Sequence, residues 1–146
     1  MDIVVRGITD EDRDEWFRMR KGIWPDAPDE YLRSDMGDIL TGERDAVFMA
    51  FVDSVPAGMI EVSLREYGES CETSPVGYIE SWFVYPHFRG RGLAKVLLGV
   101  AEDWARGKGC SEMASDTWLD NEASIRAHLK AGYFEVERLV HFVKRL

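Results

Sequence analysis

The sequence predicts a mixed α/β domain, and three observations carry that prediction. Apolar segments with strand character, Ala46 to Val52, Ala57 to Arg65 and Val76 to Val84, crowd the middle of the chain. From Gly92 to about Arg106 the apolar positions Leu93, Val96, Leu97, Val100, Ala101 and Trp104 instead follow the 3.6-residue period of an amphipathic helix. The elements alternate as β-α-α-β-β-β-α-β-α-β-β across 146 residues, a length that suits one domain, 1–146, with one core.

Each element has a local reason. Ile3 to Arg6 reads as a first strand, and Thr9 with Asp12 resembles a capping box that opens a helix to about Lys21. Pro28 suits the first turn of a second helix, which runs to Leu40 and stops near Gly42. The turn Asp53-Ser54-Val55-Pro56 joins two strands into a hairpin. Glu66 to Pro75 is polar and reads as a loop. Gly107 and Gly109 end the long helix, Glu112 to Thr117 is a short strand, and Asp120-Asn121 caps a helix that closes at Gly132. Tyr133 to Arg145 reads as two further strand segments, with Leu139, His141 and Val143 alternating against Val140, Phe142 and Lys144.

Composition narrows the function. A net charge of −9 disfavours nucleic acid and favours cationic partners. No run approaches the roughly 18 to 20 apolar residues of a membrane span, and the first residues are no signal peptide. Cys71 and Cys110 form no metal or disulfide framework, which fits a reducing cytoplasm. No metal is expected.

The most informative segment is Tyr85-Pro86-His87-Phe88-Arg89-Gly90-Arg91-Gly92-Leu93-Ala94, which follows a strand and opens a helix. The first N–H groups of a helix point outward and its dipole favours an anion there. Gly90 and Gly92 let the backbone approach phosphate oxygens, while Arg89, Arg91 and Lys95 add positive charge. Two rival phosphate motifs fail. A dinucleotide fingerprint needs a third glycine where Lys95 stands, and a P-loop Gly-Lys-Ser/Thr occurs nowhere.

Arg89-x-x-Gly92-x-Ala94, behind a strand ending Val84-Tyr85-Pro86, resembles the acetyl-CoA motif of the GNAT superfamily. Asn121-x-x-Ser124-x-x-x-His128-x-x-x-Gly132-Tyr133-Phe134 resembles its second motif, in the matching order and spacing. The stretches Ile23-Trp24-Pro25, Ser63 to Tyr67, Thr73 to Val76, Ile79-Glu80 and Glu112 to Thr117 are similar to the small dimeric aminoglycoside 6'-N-acetyltransferases within it.

The resemblance implies a GNAT fold: a mixed, mostly antiparallel sheet with helices on both faces and splayed fourth and fifth strands. Acetyl-CoA enters the splay. The backbone of Trp82, Phe83 and Val84 binds its pantetheine arm, N–H groups from Gly90 through Leu93 and Ala94 to Lys95 hold the pyrophosphate, and Asn121 reaches the arm or caps its helix. It further implies a polycationic aminoglycoside substrate, a homodimer with the C-terminal strand as an edge, and a role in antibiotic resistance.

An alkyl ammonium with a pKa of roughly 9 to 10 must lose a proton before it attacks a thioester. Glu80 is the candidate base or ammonium anchor, and Asp116 on the neighbouring strand is the second. Trp24, Ala27, Tyr67 and Glu137 are the remaining candidates for the substrate cleft, with Trp24 equally suited to the core. His128 stands where many GNAT members have a tyrosine, so it is either general acid to the thiolate or a structural histidine. A polyamine or protein amine as acceptor, and a non-catalytic acyl-CoA-binding module, are the rival readings.

Overall fold

The computed structural model of the chain describes residues 1–146. They group into two compact units, Met1–Ser115 and Asp116–Leu146.

The first unit is built on a five-stranded sheet in sequence order: β1 (Ile3–Gly7), β2 (Asp45–Val52), β3 (Val55–Arg65), β4 (Val76–Val84) and β5 (Met113–Ser115). Neighbours are antiparallel except the last pair, β4 and β5, which runs parallel. Asp53 and Ser54, both at positive φ, form the tight two-residue connection between β2 and β3. Successive strand residues face opposite sides of the sheet, and the helices divide accordingly. Phe83 joins Val47, Met49 and Met59 under Trp16 and Met19 of α1 (Arg13–Ile23). Its neighbour Trp82 donates its indole N–H to the Ala94 carbonyl of α4 (Leu93–Gly107) at 3.1 Å. Leu93, Leu97, Leu98, Ala101 and Ala105 form the buried stripe of α4; of the predicted apolar positions Leu93, Leu97 and Ala101 are in it, whereas Val96 is exposed and Val100 and Trp104 are half-buried.

The predicted helix from Pro28 to Leu40 is two helices, α2 (Asp29–Arg33) and α3 (Met36–Thr41). The reason is visible at the break. In a continuous helix the Leu32 carbonyl would accept the Met36 N–H; instead it accepts from Arg20 Nη1 at 2.7 Å, and the same nitrogen holds Asp35 Oδ1 at 2.7 Å.

The second unit holds α5 (Glu122–Lys130). The two strands predicted between Tyr133 and Arg145 are not formed; those residues carry no helix or strand. An alternating apolar segment needs a neighbouring strand to take its backbone hydrogen bonds, and this unit offers none. Phe142 and Val143 accordingly stand 92% and 94% exposed.

Candidate functional site

Three features of the first unit converge on β4. The first is the corner after it. Beyond Val84 the chain makes a 3-10 turn at Pro86–Phe88, then passes through Gly90 and Gly92 at φ +80° and +83° into α4. A Cβ at either glycine would meet nothing within 4 Å, so backbone conformation, not crowding, demands glycine here. The N–H groups of the first α4 turn, Leu93, Ala94 and Lys95, have no acceptor inside the helix and project from its positive end. Arg89 does not aim its guanidinium there: its Nε donates to the Val84 carbonyl at 2.9 Å, tying the corner back to β4. Arg91 lies over the Phe88 ring.

The second feature is an open edge. β5 pairs with β4 only at Gly77, Tyr78 and Ile79, so Glu80 to Val84 carry no partner strand on that side. The short observed β5, against the predicted Glu112 to Thr117, is what opens it. Trp82, Phe83 and Val84 sit on this edge, and it leads into the glycine corner.

The third feature is a cavity of about 580 Å³, lined by Trp24 and Ala27 after α1, Asp35 and Asp38 around α3, Asp45 of β2, Glu61 of β3 and Glu80 of β4. Five carboxylates face one lining guanidinium, Arg20. Arg20 is 5% exposed, and its Nε holds Glu61 Oε2 at 2.7 Å while the Trp16 indole N–H donates to the same oxygen at 2.5 Å. Burial works against the Arg20 charge, but Glu61 and Asp35 outweigh it and hold its pKa above the usual value. Burial, then the charges of Glu80, Asp35 and Glu61, push the Asp45 carboxyl above the ordinary carboxylate range. A cation is the natural guest.

Glu80 reaches the cavity through a β-bulge. Glu61 pairs with Ser81 and Val62 with Ile79, which leaves Glu80 as the extra residue of β4. Such an insertion re-aims a side chain. Its carboxylate accepts from Ser63 Oγ at 2.5 Å and from Arg65 Nε and Nη2 at 2.8 and 2.7 Å.

Of the predicted substrate residues, Trp24, Ala27 and Glu80 therefore share one cavity. Tyr67 does not line it; the residue is 65% exposed and donates to Glu69 Oε2 at 3.1 Å. Asp116 and Glu137 are exposed in the second unit. There Asn121 caps α5, its Oδ1 accepting the Ser124 N–H at 3.1 Å. His128 Nδ1 lies 2.7 Å from the Ser124 carbonyl, so that nitrogen carries a proton. Sequence reading missed Asp35, Asp38, Asp45, Glu61 and Arg20. Glu61 alone had a signal, a single charge inside the apolar run Ala57 to Val62.

Comparison with known proteins agrees with this geometry. The model of the acetyltransferase (GNAT) family matches residues 7–133. Aminoglycoside N(6')-acetyltransferase type 1 of Salmonella typhimurium is 41% identical over 133 residues, covering 90% of this chain and 92% of the relative. The protein of the same name from Klebsiella aerogenes is 40% identical over 147 residues, covering 98% and 97%. Among solved structures, AAC(6')-Iy in complex with a bisubstrate analogue of CoA and acetylneamine superimposes with a TM-score of 0.93 at 37% identity, over 100% of both chains. AAC(6')-Ih from Acinetobacter baumannii follows at 0.90 and 33%, over 99% of both. An open β4 edge, a glycine corner and full-length similarity on this scale have one explanation: the chain belongs to the GNAT acetyltransferase family.

Proposed function

We propose that this protein transfers the acetyl group of acetyl-CoA to the 6'-amine of aminoglycoside antibiotics and so confers resistance to them. The observation that carries the reading is the cavity of five carboxylates reaching Glu80 beside the open β4 edge. Relatives bearing that activity in their names support it at about 40% identity. In this reading residues 1–146 act as one domain, and the family match across 7–133 spans both compact units. The two unpaired thiols, Cys71 and Cys110, support a reducing, cytoplasmic location.

Bound acetyl-CoA supplies the thioester that the amine attacks. The N–H groups of Leu93, Ala94 and Lys95 hold its pyrophosphate, and the backbone of Trp82 to Val84 holds its arm as a strand would be held. Glu80 receives the substrate ammonium, with Trp24 and Ala27 shaping the wall. Glu80 accepts the amine proton directly or through water, and Asp116 is the alternative candidate for that base. His128 delivers a proton to the departing thiolate only in the form that carries a proton on Nε2 as well as on Nδ1.

A second copy of the chain belongs to the reading. Leu139, Val140, Phe142 and Val143 are 60%, 70%, 92% and 94% exposed, an apolar segment that a partner chain would cover.

A thiol-release assay across amines tests the chemistry. Kanamycin should be acetylated well and spermidine poorly; the reverse order makes the enzyme a polyamine acetyltransferase. Glu80→Gln and Asp116→Asn should each lower kcat/KM about 100-fold while acetyl-CoA binding persists. Parent rates in both variants would dismiss the assigned site.

A further inference from the structure

The Glu80 carboxylate is already engaged. A carboxylate has about four acceptor directions, and three are used: Oε2 takes Ser63 Oγ and Arg65 Nε, and Oε1 takes Arg65 Nη2. The two Arg65 bonds form the parallel fork that only a guanidinium makes. Arg65 is itself fixed, because its Cζ lies 3.5 Å from the centroid of the buried Tyr78 ring. A positive charge thus rests on the cavity carboxylate that the bulge adds to β4.

We propose that Arg65 is a positioning and specificity-determining residue: an internal cation with which any substrate ammonium must share Glu80. The inference rests on the functional reading above and gives this arginine two separable effects. Its charge opposes the incoming ammonium, so it weakens the grip on substrate. Its fork turns the carboxylate so that a single acceptor direction, on Oε1, remains for the guest, and that direction fixes where the amine sits. An unclamped Glu80 would bind a cation more tightly and orient it worse. The enzyme gives up affinity and gains a defined attack geometry, which is the exchange that raises kcat.

The test compares Arg65→Ala and Arg65→Lys in steady-state acetylation of kanamycin, with thermal melts to establish folding. Arg65→Ala should lower KM about threefold, the scale of a partly exposed charge pair, and lower kcat about tenfold through lost orientation. Arg65→Lys restores the charge without the fork, so KM should return to the parent value while kcat stays low. A merely structural arginine predicts a different pattern: less active protein, unchanged KM and no such separation. An Arg65→Ala KM at or above the parent value, or an Arg65→Lys variant that shifts KM while keeping kcat, overturns the inference and leaves the function standing. A parent enzyme that acetylates no amine overturns the functional reading, and this inference with it.

Discussion

Glu61 sits in the middle of an apolar strand at 5% exposure, a position where an unpaired carboxylate could not be tolerated. Arg20 and the Trp16 indole satisfy it from α1, and Arg20 then reaches on to Leu32 and Asp35, so one guanidinium ties a strand, a helix and the α2–α3 break together. Removing one partner of such a buried pair leaves the other charged and uncompensated. Glu61→Ala should therefore cost roughly 3 kcal/mol in urea unfolding; a loss below about 0.5 kcal/mol, the scale of an ordinary surface change, contradicts the assigned role. Asp45 poses the opposite problem. Burial and the surrounding carboxylates raise its pKa above the ordinary 3.8. A raised folded-state pKa contributes stability below the unfolded value, and that stability is lost as pH rises through the folded one. Asp45→Asn should thus raise the melting temperature at pH 7 and leave it near the parent value at pH 3.5. An equal gain at both pH values would mean that charge is not the cause. None of these pairings was legible in the sequence, because Arg20 and Glu61 lie 41 residues apart and meet only once α1 has packed on the sheet.

Elements with a strong local pattern were legible. The Val76–Val84 strand and the α4 helix stand where periodicity put them, although the buried face of α4 is turned toward Leu98 and Ala105 and leaves Val96 exposed. What failed needed a distant partner. The split of α2 from α3 depends on an arginine side chain from α1, and the bulge at Glu80 depends on the register of β3. The C-terminal strands depend on a neighbour that the second unit lacks. Within the site, the glycine corner was legible because its backbone must turn left-handed, whereas the acidic wall was not, because its members come from separate elements. Gly92, at φ +83°, makes the corner testable. A Cβ there meets no neighbour, so Gly92→Ala should show backbone strain alone: about 1 to 2 kcal/mol lost in stability. The same variant should bind acetyl-CoA more weakly by calorimetry while its affinity for kanamycin holds. Weakened kanamycin binding with intact acetyl-CoA binding would place the pyrophosphate elsewhere.

At the scale of the whole molecule, a net charge of −9 and a cavity of five carboxylates act in the same direction on a polycation. Such attraction is screened by salt, the Debye length falling from about 30 Å at 0.01 M to about 3 Å at 1 M. KM for kanamycin should accordingly rise steeply with ionic strength, while KM for acetyl-CoA, itself an anion, should not rise with it. The exposed C-terminal segment raises a different question, that of what keeps the molecule in solution. Leu139, Val140, Phe142 and Val143 are exposed within a stretch that forms no strand in its own unit, and an apolar surface of this kind invites another chain. A second copy would solve the problem for both partners, because each would bring the same segment and a symmetric contact closes on itself. Sedimentation of the parent should then give twice the 16.7 kDa chain mass. Phe142→Asp buries a charge in that contact and should shift the distribution toward monomer at micromolar concentration. A parent that sediments as a monomer, or a Phe142→Asp variant as dimeric as the parent, would show that the segment serves some other purpose than pairing two copies.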